Sequence, residues 1–340
     1  MDLKKFKLGV GPMSPIVTDL CLEYSFKNDF PLLIISSRNQ VDYDGGYAFS
    51  TPNLVKFIKN NKNYVKENVL ICRDHCGPYF SDKDVGLDLE QALNRCFGTI
   101  QTDTYNGFDL LHIDVSRVEQ NEQIQVAERL FNFALRHNPN VMFEYGSEDN
   151  NGNTNGDFSY YHNQMSFLNQ YKPNLKYFVA KTGSLTKHKQ VGNFDNYTTT
   201  KITELVHNNN LLFKEHNADY LHAREVNLRL DAGVDCFNIA PQLGMIHTKA
   251  LRECSTQAKE YYDLFVNFVL SQKYYNKWIT SEVIDDETKF LVSAHYFFNS
   301  KLGIQLHRAI DNEQLTKTMR EILILELDQY RLGAMNHEFV

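Results

Sequence analysis

Nowhere does the 340-residue chain carry an apolar run approaching the roughly 18 residues that a membrane-spanning helix requires. Its opening stretch, MDLKKFKLGVGP, has basic residues but lacks the apolar core of a secretory signal. Both absences predict a cytoplasmic protein with no membrane partner. A disulfide framework is missing as well: Cys21, Cys72, Cys76, Cys96, Cys236 and Cys254 are scattered through apolar segments, as buried thiols in a reducing compartment are. Positive charge is also short, with 35 Lys and Arg against 42 Asp and Glu and a formal net charge of -7. That balance excludes a general attraction to nucleic acid or anionic lipid. Finally, Gly9-x-Gly11 runs into Pro12 with no third glycine in place, so the phosphate-binding turn of a doubly wound dinucleotide fold is absent.

What is present is the composition of a globular protein, 42% hydrophobic and 23% charged. Short apolar or β-branched runs alternate with segments of helical period, the pattern of parallel strands and covering helices. Eight such runs occur: 6-10, 31-36, 69-74, 109-115, 141-145, 175-181, 211-216 and 236-241. The count predicts an α/β fold, a (β/α)8 TIM barrel over residues 1-250, since about 250 residues is the usual size of one. Ser14-Pro15 and Ser50-Thr51-Pro52 are helix starts, with Pro in the first turn. Ile124, Ala127, Leu130, Phe131 and Ala134 form one core-facing stripe. Strand signals stop after Gly244, and residues 251-340 read as a C-terminal helical extension with a stripe of Tyr261, Leu264, Phe265, Phe268 and Val269. The polar stretch 148-157, EDNNGNTNGD, is a loop after the fifth strand, placed to serve as a lid.

A barrel of this kind keeps its chemistry at the C-terminal ends of its strands. Here those ends are polar: Asn39 and Gln40 after the second strand, Asp74-His75 after the third, then Asp114, Glu144, Lys181, Glu215-His216, and Asn238 with Gln242. His75, Glu144 and His216 on converging tips form a ligand set for a divalent ion of the zinc type, with an open position for substrate. Asp74 is placed to move a proton next to a carbonyl. Lys181 has three readings, a Schiff-base nucleophile, a cation for a substrate phosphate or carboxylate, or a plain surface lysine. Asn39, Gln40, Gly46, Asp114, Lys181, Asn238 and Gln242 are the candidate substrate contacts, Gly46 by close backbone approach.

Several runs also carry a family likeness: 37-47, SRNQVDYDGGY; Asp74-His75-Cys76-Gly77-Pro78; 111-116, LHIDVS; 214-220, KEHNADY; and 237-244, FNIAPQLG. In order and spacing, over roughly residues 5-250, the chain resembles the tagatose-bisphosphate aldolase accessory, or non-catalytic, subunit family, related to class II ketose-bisphosphate aldolases. The resemblance implies a barrel acting on ketose phosphates or related sugars, with Asp74 as the proton-transfer residue and His75, Glu144 and His216 holding a divalent metal. At the sixth strand the aldolases have a metal-binding histidine and the accessory subunits a glutamine, whereas this chain has Lys181.

The expectation is therefore a metal-dependent enzyme of sugar or sugar-phosphate carbon chemistry. It would be a lyase of the aldolase type or an epimerase, using zinc, with manganese or cobalt as alternatives. Two alternatives stand beside it: a non-catalytic accessory subunit stabilising a class II aldolase, and an imine enzyme using Lys181. The expected partners are the sugar substrate and either further copies of the chain or an aldolase subunit.

Overall fold

Strands buried on both faces read as near-continuous apolar runs, and that is what the eight expected segments become. The computed structural model describes residues 2-148, 158-187, 190-279 and 284-338. Its strands are β1 (Leu8–Val10), β2 (Leu32–Ser37), β3 (Val69–Cys76), β4 (Leu110–Asp114), β5 (Met142–Gly146), β6 (Leu175–Val179), β7 (Leu212–Glu215) and β8 (Cys236–Ile239). They close in the order β1-β8-β7-β6-β5-β4-β3-β2, with every pair parallel. This is a (β/α)8 barrel. Residues 149-157 of the expected lid lie outside the described residues.

The covering helices are α1 (Pro15–Asn28), α2 (Thr51–Lys59), α3 (Leu89–Asn106), α4 (Gln123–His137), α5 (Phe158–Leu168), α6 (Asn196–Asn208), α7 (Ala223–Asp231) and α8 (Pro241–Cys254). Local chemistry fixes their starts: the Ser14 hydroxyl accepts from the Val17 amide ahead of Pro15, and Asp88 and Gln91 form a reciprocal capping box on α3. On α4 the buried stripe is Val126, Ala127, Leu130, Phe131 and Ala134. Ile124, expected in that stripe, is exposed, because α4 begins at Gln123 and its first turn presents position 124 to solvent.

Four further helices follow: α9 (Lys259–Ser271), α10 (Asp286–Ser293), α11 (Lys301–Ala309) and α12 (Asn312–Glu338). Phe265 and Val269 bury the inner face of α9, while Tyr261 and Leu264, expected in the same stripe, are exposed on its outer side. The long α12 lies across α7 and α8, burying Leu315, Met319, Leu323, Leu327 and Tyr330 at helical spacing. Among the described residues, no helix is long and apolar enough to cross a membrane. None of the cysteines is in a disulfide, and all but the partly buried Cys254 are buried.

The main core lies between strands and helices. A second, smaller cluster fills the barrel itself: Leu33, Ile35, Leu70, Cys72, Leu110, Tyr177 and Cys236, with Met142 and Leu212 against it and Leu3 and Phe6 below. Because alternate residues of a strand face the same side, this cluster identifies the inward set. One or two steps further toward the C-terminal end, the same faces carry Asp74, His112, Asp114, Glu144, Lys214, His216 and Asn238.

Candidate active site

Strand alternation points Asp74 into the barrel and should point the next residue outward. His75 nevertheless also faces the mouth. Its backbone is left-handed, with φ 47°, at a break in register between β3 and β4 from Arg73 to Cys76. An irregularity of this kind re-aims one side chain, and a non-glycine residue keeps such a conformation only where its surroundings enforce it. Arg73 supplies part of that enforcement from the outer face: its guanidinium is bidentate to Asp103 of α3, at 2.6 and 2.8 Å, and donates to the carbonyls of Ser36 and Val41.

In the mouth, the His75 Nδ1 lies 2.6 Å from Asp114 Oδ2, and Asp114 Oδ1 accepts from both the amide and the hydroxyl of Ser116. With Nδ1 donating to a carboxylate, Nε2 is the nitrogen turned toward the site. Burial opposes charge on this imidazole, but Asp74 and Asp114 outweigh it and push its pKa up to about 9. Burial likewise opposes charge on Asp74, yet His75, His216 and His112 hold its carboxyl well below the usual range. Asp74 Oδ1 sits 3.6 Å from His112 Nδ1 and 3.8 Å from His216 Nδ1.

Glu144, an expected metal ligand, is in the same cavity but is occupied by protein. One oxygen pairs with the buried Lys214 ammonium, and the other lies 2.7 Å from His216 Nε2. Against the cost of burial, Lys214 foremost and then the neighbouring imidazoles keep it below the usual range. The Asn238 carboxamide lies 3.0 Å from the same His216 nitrogen. Instead of Glu144, one metal-ligating atom from each of Asp74, His75, His112 and His216 falls within 4.8 Å of all the others. Three imidazoles and a carboxylate suit a divalent ion of the zinc type. Asp74 Oδ1 and His112 Nε2 are buried without a hydrogen-bond partner, so the residues present fit such an ion. Gly146 makes room for the His112 ring: a Cβ there would sit 2.7 Å from His112 Nε2.

Lys181 lies beside this group, not in it. It lines a cavity of about 380 Å³ with Ser116, Arg117, Gln123, Ser147, Glu148 and Tyr160, its Nζ 3.8 Å from Glu148. The cavity adjoins the mouth through Asp114-Ser116 and through a stack in which Arg117 lies on Phe80 and Phe80 on His75. Other expected contacts are held elsewhere. Asn39 exchanges hydrogen bonds with Asp82, and Gln40 accepts from the Ser37 amide within its own loop. Gly46 packs so closely on the Gln40 carbonyl that a Cβ would meet it at 2.2 Å. Gln242 accepts from the Tyr220 amide and donates to Glu326, bracing α12.

Residues 8–136 match the family model for the D-tagatose-1,6-bisphosphate aldolase subunit GatZ/KbaZ-like. The matched stretch holds Asp74, His75, His112 and Asp114, and it ends before Glu144 and His216. Solved structures agree on the fold. A probable tagatose 6 phosphate kinase from Sinorhizobium meliloti 1021 superposes with a TM-score of 0.75 at 15% identity, covering 96% of this chain and 100% of the other. A fructose-bisphosphate aldolase from Campylobacter jejuni gives 0.59 at 13% identity, covering 97% and 91%. The YdjI aldolase of Escherichia coli K12 gives 0.52 at 12% identity, covering 92% and 94%.

Two inward residues, His112 and Lys214, were not among the expected site residues. The signal was available for both: His112 stands two before Asp114 and Lys214 two before His216, so each shares its neighbour's face of the strand.

Proposed function

We propose that the chain is a metal-dependent enzyme of sugar or sugar-phosphate carbon chemistry, catalysing aldol cleavage or condensation, or epimerisation, of a ketose or its phosphate through an enolate or retro-aldol step. The observation that carries this reading is the convergence of Asp74, His75, His112 and His216, with two of their polar atoms buried and unpartnered, at the C-terminal mouth of the barrel. A divalent ion held by these residues, zinc or else manganese or cobalt, supplies a Lewis acid for a substrate carbonyl or hydroxyl. Asp74 has two oxygens for two tasks, one beside the ion and one to take and return the proton on the carbon next to the carbonyl. Held ionised by its imidazole neighbours, it is in the accepting state across the neutral range. Asp114 keeps His75 oriented, and Asn238 meets substrate hydroxyls. Lys181 and Arg117 in the adjoining cavity receive the far end of the sugar.

The test joins metal analysis of the purified chain to proton exchange in D2O, using a panel of ketoses, uronates and their phosphates. Bound zinc, manganese or cobalt together with deuterium at one carbon is expected, and the labelled carbon separates enolisation from retro-aldol cleavage. A chain that binds none of these ions and exchanges no proton sinks the reading. The word "subunit" in the matching family description favours a second role, that of an accessory protein for an aldolase in the cytoplasm. Isolation from the native host as a homo-oligomer without an aldolase counts against it. The imine alternative predicts a borohydride-stable adduct at Lys181.

A further inference from the structure

Lys214 has no part in the chemistry described above, yet it occupies the middle of the barrel. It is fully buried, its ammonium paired with Glu144 Oε2 and 4.5 Å above the ring of Tyr177. Register places it beside Cys236, and Glu144 lies between His112 and Tyr177. A buried charge of this kind persists only with its partner in place. Its effect on the site is exerted through the other carboxylate oxygen.

Glu144 Oε1 lies 2.7 Å from His216 Nε2. An ionised carboxylate can only accept, so a bond at that distance requires the proton to be on Nε2 and leaves Nδ1 bare, with Asn238, 3.0 Å from the same nitrogen, presenting its carboxamide oxygen to that proton. A neutral carboxyl could instead donate, which would reverse the tautomer. The ammonium against Oε2 excludes that form. The bare Nδ1 is the atom that faces Asp74 Oδ1, 3.8 Å away, on the side where the four metal-ligating residues converge. His75 is held in place from the opposite wall, with Asp114 on its Nδ1 and Ser116 anchoring Asp114.

We propose that Lys214 is a positioning residue: by fixing Glu144 it sets the tautomer of His216 and presents the bare Nδ1 to the divalent ion. Glu144 on this view is the orienting carboxylate of a Lys-Glu-His relay inside the barrel and not a ligand. The part concerning the ion rests on the proposed metal function, whereas the tautomer belongs to the protein alone.

Ring-nitrogen NMR of the metal-free protein, labelled with 15N-histidine, tests the tautomer directly. In the wild type, His216 is expected to show a protonated Nε2 and a bare Nδ1, with widely split resonances. In K214M, and in K214Q if K214M does not fold, the split should shrink by at least half while the His75 resonances stay unchanged. A proton found on Nδ1 of His216 in the wild type overturns the proposal by itself, and so does an unchanged split in the folded variant. Cobalt titration then reads the consequence: about tenfold weaker binding with altered visible bands in the variant. Wild-type protein that takes up no cobalt would remove the metal function and leave the ring pattern to decide the role of Lys214.

Discussion

Three imidazoles surround Asp74, and that setting makes its carboxylate both easy to keep charged and hard to replace. Asp74→Asn keeps the shape but accepts no proton. Proton exchange into substrate is expected to fall at least about 100-fold, while cobalt affinity stays within about tenfold of wild type. Equal losses in both would restrict Asp74 to the ion. His75 gives a pH signature. Its folded-state pKa of about 9 stands above the ordinary 6.5, so between those values the folded form binds more protons and unfolding becomes easier as pH rises. The stabilisation is full below 6.5 and lost above about 9. Urea unfolding of metal-free protein should show this decline, and His75→Gln should lack it. Reading the last residue of each strand picked out Asp74, His75 and His216, which the fold brings together at the mouth. It missed His112 and Lys214 because each stands one step deeper than the strand tip, two residues before Asp114 and His216.

At the scale of elements, β3 works through both faces. Inward it offers Asp74, and outward Arg73 ties it to α3 through Asp103. Arg73→Met leaves Asp103 buried without its counter-ion, and a loss of about 3-5 kcal/mol in unfolding free energy is expected. A loss below about 1 kcal/mol in denaturant titration would mean that the pair merely offsets its own desolvation. The eight strands were legible because parallel strands, covered on both sides, need apolar residues at nearly every position. The direction of the polar tips was not. Asn39, Gln40 and Gln242 follow strands just as Asp114 does, yet their partners are Asp82, the Ser37 amide and Glu326, contacts set by loops and by a helix far away in sequence. The αL turn at His75 was equally hidden, since nothing in the residue type demands it.

At the scale of the whole molecule, α12 reaches back to the site. The Tyr330 hydroxyl donates to the Ala218 carbonyl at 2.6 Å and accepts from the Leu221 amide, so the last helix braces the loop that follows His216. Tyr330→Phe is expected to lower stability by about 1-2 kcal/mol, seen as a lower urea midpoint with an unchanged slope. Amide hydrogen exchange at Ala218 and Leu221 should quicken more than in β3. Uniform acceleration across the barrel would show that Tyr330 contributes to global stability alone.

That brace also has a meaning for the chain as it is made. Synthesis runs from the amino end, so all eight strands leave the ribosome before residues 312-338 do. A nascent chain can therefore close its barrel while the loop beyond His216 still waits for Tyr330. The mouth is the last part to be secured, and a message cut short within the final helix would yield a barrel with an unanchored site.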